Sequence, residues 1–126
     1  MPAPQSPPKI LLVEDEPDVR RILCDELANV GYQVDCVSTK AEAEALLGGA
    51  RYGAVVLDVR LPDGFALDLV GTLEARGARA LLITGHPDAM QVMEARGLNY
   101  LAKPFRIREL IDALERTMAL PIASSR

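Results

Sequence analysis

The residues able to do chemistry in this chain are Glu14, Asp15, Asp58, Thr84 and Lys103, each at or just beyond the end of a short apolar run. Asp58 closes Ala54-Val55-Val56-Leu57, a charge-free segment of the kind that forms a strand buried on both faces. A carboxylate at the mouth of such a strand must be paired or coordinated, because an isolated buried charge is prohibitively costly. KILLV at 9–13 runs into Glu14, Asp15 and Glu16, ALLIT at 80–84 ends on the Thr84 hydroxyl, and Lys103 follows the brief run 99–102. If the first and third runs are adjacent strands, three carboxylates crowd together, and they stay ionised only with cations among them. One divalent ion and the Lys103 ammonium would balance them; hard oxygen donors with room for water suit Mg²⁺. A carboxylate in that setting can act as a nucleophile toward phosphorus. Phosphoryl transfer asks the protein mainly for charge compensation at the equatorial oxygens, which Mg²⁺, Lys103 and Thr84 with nearby backbone N–H groups would supply.

The elements that must position these groups alternate along the chain. After the first strand, Pro17 and Asp18 suit a helix start, and Val19, Ile22, Leu23, Leu27 and Val30 share one helical face before Gly31. Residues 33–37 alternate polar and apolar, as an edge strand does. Ser38-Thr39 opens a second helix with a weak stripe of Ala43, Leu46 and Leu47. The third strand turns at Pro62-Asp63-Gly64 into a helix over 65–75, the fourth leads to a short helix over 87–96, and the fifth ends at Lys103-Pro104. A last helix, about 107–119, gathers Ile107, Leu110, Ile111, Leu114 and Met118 on one side. Five strands alternating with five helices predict an α/β fold, a parallel sheet covered on both faces.

Composition narrows the function classes. At 126 residues the chain has room for one core, and no apolar run approaches the length of a membrane span. A net charge of −4 argues against a phosphate-backbone footprint, so protein partners are expected, with no direct nucleic acid and no membrane. Cys24 and Cys36 lie in apolar-periodic segments without CxxC spacing, which predicts packed, reduced thiols and a cytoplasmic address. MPAPQSPP at 1–8 reads as a disordered proline-rich arm and 121–126 as a flexible tail around a unit over 9–120, which either works alone, the reading these ends favour, or belongs to a larger regulator.

ILLVEDE, VVLDVRLPDG, LLITG and YLAKPF, in that order, resemble the receiver domain of bacterial two-component response regulators, single-domain type. The resemblance implies a flavodoxin-like, doubly wound (βα)5 fold with strand order 2-1-3-4-5. It further implies that Asp58 takes a phosphoryl group from the phosphohistidine of a histidine kinase or histidine phosphotransfer protein. Mg²⁺ would be held by Asp15, Asp58 and the backbone carbonyl of Arg60, with Glu14 direct or through water. Thr84 and Lys103 would hold phosphoryl oxygens, and Tyr100 would be the aromatic switch on a surface built from the fourth helix, fifth strand and fifth helix. That surface would meet a downstream protein or a phosphorylation-dependent dimer partner. The protein would be a signalling phosphoacceptor and not an enzyme beyond self-phosphorylation and autodephosphorylation. Lys103-Pro104 resembles the family's cis peptide.

Arg60 and His86 stand two residues beyond Asp58 and Thr84, at the expected mouth of the site; Ala66 occupies a position where many receivers have glycine. The span from Thr84 to Lys103 is about one helical turn shorter than in most receivers, within the expected output surface. An alternative is an Mg²⁺-dependent phosphohydrolase with an aspartyl-phosphate intermediate, but such enzymes usually carry a second carboxylate where this chain has Arg60. A flavodoxin-like mononucleotide binder would need a Gly/Ser/Thr-rich loop after the first strand, where three acids stand instead.

Overall fold

A computed structural model describes residues 9–119. The predicted arm at 1–8 and tail at 121–126 lie outside them. The strands are β1 (Lys9–Val13), β2 (Gln33–Val37), β3 (Ala54–Asp58), β4 (Arg79–Thr84) and β5 (Tyr100–Ala102). The helices are α1 (Pro17–Val30), α2 (Lys40–Leu47), α3 (Leu67–Ala75), α4 (Pro87–Ala95) and α5 (Ile107–Ala119). The strands form one parallel sheet in the order β2-β1-β3-β4-β5, which places β2 at an edge as its alternation predicts.

Successive strand side chains point to opposite faces, so each central strand feeds two apolar layers. Leu11, Val13, Val55, Leu57 and Leu82 pack with Ala43, Leu47, Leu69, Leu73 and Met93 of α2, α3 and α4. Ile10, Leu12, Val56, Leu81 and Ile83 pack with Leu23, Leu27, Leu110 and Leu114 of α1 and α5. Each fully buried branched side chain contributes about 1.5–3 kcal/mol relative to exposure. That double cover holds the sheet between two apolar layers and fixes where its carboxyl ends emerge.

Local chemistry sets the boundaries. Pro17 starts α1 with its fixed φ, and Gly31, at φ +114°, ends it in a left-handed conformation that residues with a Cβ rarely adopt. The Thr39 side chain accepts the Glu42 N–H and caps α2. The predicted third helix begins two residues late, at Leu67, because Gly64–Phe65 pairs antiparallel with Arg60–Leu61 in a small hairpin.

Two expectations are corrected. Ile22 and Val30 are 55% and 50% exposed, because only the Leu23/Leu27 side of α1 meets the sheet. Cys24 and Cys36 are not reduced thiols: they form a disulfide across 12 residues, joining α1 to β2 with Cα atoms 6.7 Å apart. The segments were rightly read as packed, but pairing depends on α1 folding back over the edge strand, a tertiary relationship that spacing alone does not reveal.

Candidate functional site

Parallel strands deliver their carboxyl ends to one edge, where ligands of open α/β sheets bind. Val13 pairs with Leu57, Asp58 with Ile83, and Thr84 with Ala102. Glu14, Asp58, Thr84 and Lys103 therefore emerge side by side. Backbone bonds fix two of the junctions: the Glu14 N–H donates to the Val37 carbonyl at 3.0 Å, and the Lys103 N–H to the Thr84 carbonyl at 2.8 Å.

Lys103 ties the acids together. Its Nζ donates to Asp58 Oδ2 at 2.7 Å and to Glu14 Oε1 at 3.2 Å. Asp58 Oδ1 accepts the Arg60 N–H at 3.1 Å, and Glu14 Oε2 accepts the Glu16 N–H at 3.2 Å. Glu14 is fully buried and Asp58 is 9% exposed, while Asp15 stands in solvent. Desolvation raises the Glu14 pKa against the opposing pull of the Glu16 N–H and Lys103. Burial alone would lower the Lys103 pKa, but the hydrogen bond and charge of Asp58, then Glu14, outweigh it and raise the value.

One carboxylate oxygen from each of Glu14, Asp15 and Asp58 lies within 4.8 Å of the others. Three carboxylates against one ammonium leave an excess of two negative charges, and an all-oxygen donor set of that charge fits a hard divalent cation. The residues present thus suit Mg²⁺. Beside them a cavity of about 320 Å³ is lined by Asp15, Glu16, Asp58, Arg60, Gly85, His86 and Lys103, so there is room for a small group that a cation would help to hold.

The remaining predicted residues divide by position. Thr84 is fully buried at the end of β4, its Oγ1 accepting the His86 N–H at 3.0 Å. His86 lines the cavity and is exposed, as its predicted place at the mouth requires. Tyr100 lies outside this cavity; it is half-buried on β5, with its hydroxyl donating to Glu94 Oε1 of α4 at 3.0 Å. The Lys103–Pro104 peptide is cis.

Sequence reasoning missed two contributors. Arg20, in the first turns of α1, donates to the backbone carbonyls of Glu14 at 2.9 Å and Asp15 at 3.4 Å. Since it holds main-chain atoms, no residue pattern advertises it. Asp63 in the turn after β3 accepts the N–H groups of Lys40 at 2.9 Å and Ala41 at 3.0 Å, anchoring that turn to α2. A Pro-Asp-Gly triplet signals a turn but not which distant helix it will cap.

Comparison with known proteins sets this geometry in context. A family model described as the response regulator receiver domain matches residues 10–115. The transcriptional regulatory protein PmrA of Pectobacterium parmentieri is 36% identical over 107 residues, covering 81% of this chain and 48% of that protein. The chain spans about half the length of such curated relatives. Among solved structures, the non-phosphorylated HemR receiver domain of Leptospira biflexa is 32% identical with a TM-score of 0.78, over 90% of this chain and 96% of its own. The receiver domain of the sensor histidine kinase PA1611 of Pseudomonas aeruginosa PAO1, which has a magnesium ion coordinated in its active site cleft, is 30% identical with a TM-score of 0.78 over 90% and 99%.

Proposed function

Because the chain belongs to the response regulator receiver domain family, we propose that Asp58 is its phosphoacceptor and that residues 9–120 form the receiver unit. The observation that carries this reading is the convergence of Glu14, Asp15 and Asp58 with the Lys103 ammonium at one cavity. In the proposed reaction an Asp58 carboxylate oxygen attacks the phosphorus of a phosphohistidine. A new P–O bond forms as the P–N bond breaks, and the electron pair leaves on the imidazole nitrogen of a histidine kinase or phosphotransfer protein, which takes up a proton.

Glu14, Asp15, Asp58 and the Arg60 carbonyl would hold Mg²⁺, which supplies positive charge to the phosphoryl oxygens. Lys103 leaves its carboxylate partner to bond an oxygen of the arriving group, a charge-assisted contact it is already placed to make. The Thr84 hydroxyl turns toward another oxygen, and the space it vacates lets the Tyr100 ring move inward. The surface of α4, β5 and α5 is then biased toward its bound form for a downstream protein or a second copy. A cytoplasmic site of action follows from kinase partnership; among the described residues no helix is long and apolar enough to cross a membrane. The phosphohydrolase reading is not favoured: Arg60 occupies the position where that class places its second carboxylate, and the family match is to signalling domains.

The test is incubation of the full chain with Mg²⁺ and acetyl phosphate, followed by intact mass. One phosphoryl adduct is expected, lost with chelator and in Asp58→Asn. An adduct that survives Asp58→Asn would overturn the assignment, as would sustained turnover of small phosphoesters.

A further inference from the structure

The Cys24–Cys36 disulfide connects α1 and β2, the two elements that each bond the backbone of the acidic loop. Cys24 lies four residues after Arg20, on the same face of α1, and Arg20 bonds the carbonyls of Glu14 and Asp15. Cys36 directly precedes Val37, whose carbonyl accepts the Glu14 N–H at 3.0 Å. Both contacts on the loop backbone thus sit within about one helical turn, or one residue, of the covalent link. Among the described residues β2 is an edge strand paired only with β1 and packed under α1, so its grip on Glu14 relies on that pairing and on α1. Neither cysteine is fully buried: both are half-buried, Cys36 against the apolar layer under α1 and α5.

We propose that Cys24 and Cys36 form a reversible thiol–disulfide site whose co-substrate is a low-molecular-weight disulfide, and that its oxidation state sets the order of the Glu14–Asp15 loop. The link to phosphoryl uptake rests on the function proposed above. Disulfides in a reducing compartment are usually transient and sensing, which is the behaviour expected of this one at the cytoplasmic site of action proposed above. In the oxidising direction, the thiolate of one cysteine attacks a donor sulfur and releases one small thiol. The second thiolate then attacks the mixed disulfide, closing Cys24–Cys36 and releasing the other small thiol. Two protons pass from the cysteines to the two departing thiols, and the donor disulfide is reduced as the protein is oxidised.

Closing the Cys24–Cys36 bond beside these two contacts should make Glu14 and Asp15 better ordered and the cation site tighter. The full chain is equilibrated with oxidised or reduced glutathione, and thiols are counted by alkylation and mass. Amide hydrogen exchange is then followed at Glu14, and Mg²⁺ binding by calorimetry. Exchange at Glu14 should be about threefold or more faster in the reduced chain, and Mg²⁺ affinity about fivefold weaker. The Cys24→Ser/Cys36→Ser double variant should match the reduced protein and ignore glutathione. Identical exchange and Mg²⁺ affinity in both states would overturn the proposal. So would thiols that stay free in excess oxidised glutathione, or a double variant that still responds to it. Failure of Asp58 phosphorylation in both states would count against the proposed function alone, since Glu14 exchange decides the redox inference without it.

Discussion

The Lys103 Nζ stands 2.7 Å from Oδ2 of Asp58, across 45 residues of sequence, and the same ammonium reaches Glu14 Oε1 at 3.2 Å. This single cation therefore compensates both carboxylates that β1 and β3 push into the sheet edge. Lys103→Met leaves them facing each other without it and should lower stability by about 1–3 kcal/mol near neutral pH. Acid should shrink the deficit. The folded pKa of Glu14 is raised above 4.5, chiefly by burial, so as pH falls through that raised value Glu14 is neutralised and one of the two uncompensated charges is removed. The raised Lys103 pKa acts at the other end: its contribution is complete below 10.5 and disappears as pH climbs through the higher folded value. Urea denaturation of both proteins at pH 4 and pH 8 checks this; a larger deficit at the acid end would refute it.

The excess negative charge at the loop predicts stabilisation by Mg²⁺. With the free ion at a hundredfold over its dissociation constant, linkage gives about 2.7 kcal/mol. Asp15 is the exposed member of the trio, so Asp15→Asn should change the metal-free protein little while removing most of the Mg²⁺ response. Thermal melts with chelator and with Mg²⁺ measure both quantities. An equal Mg²⁺ shift in the variant would place the ion elsewhere.

The strand ends were legible because burial and chemistry coincide there. Ala54–Asp58 is apolar up to its last residue, and each of Val13, Asp58 and Thr84 ends its strand in the place the patterns predict. Strand order came from the family resemblance, not from periodicity. Contacts made by main-chain atoms or between distant turns were not legible: the carbonyl clasp of Arg20, the capping of α2 by Asp63 and the pairing of Cys24 with Cys36 each require the folded chain. Helical spacing also overstated the buried face of α1, where Ile22 and Val30 fit the apolar stripe but face outward.

Asp63 makes the turn after Asp58 sensitive to acid. Hydrogen bonds from the Lys40 and then the Ala41 backbone hold its pKa below the usual 3.8. A depressed carboxylate pKa stabilises the fold fully above the unfolded value and loses that contribution as pH falls through the folded one. Below about pH 3.8, amide exchange at Lys40 and Ala41 should accelerate ahead of the β3 amides, and Asp63→Ala should show the fast exchange already at neutral pH. Exchange at these two amides that does not change in the variant would disprove the anchoring role.

Tyr100 offers a direct view of the proposed switch, since the chain contains no tryptophan and Tyr100→Trp would install a single reporter. In the present structure the phenol is half-buried and its hydroxyl donates to Glu94 of α4, while the Thr84 hydroxyl behind the sheet edge accepts from His86. If a phosphoryl group draws the Thr84 hydroxyl toward Asp58, the ring at position 100 moves inward and the bond to α4 is lost. Addition of Mg²⁺ and beryllofluoride, a phosphoryl analogue, should then shift the indole emission of the variant to shorter wavelength and reduce its quenching by iodide. The response should vanish when Asp58→Asn is added. Unchanged quenching in a protein whose ¹⁹F spectrum shows bound beryllofluoride would separate site occupancy from movement of Tyr100, and would remove this residue from the switch.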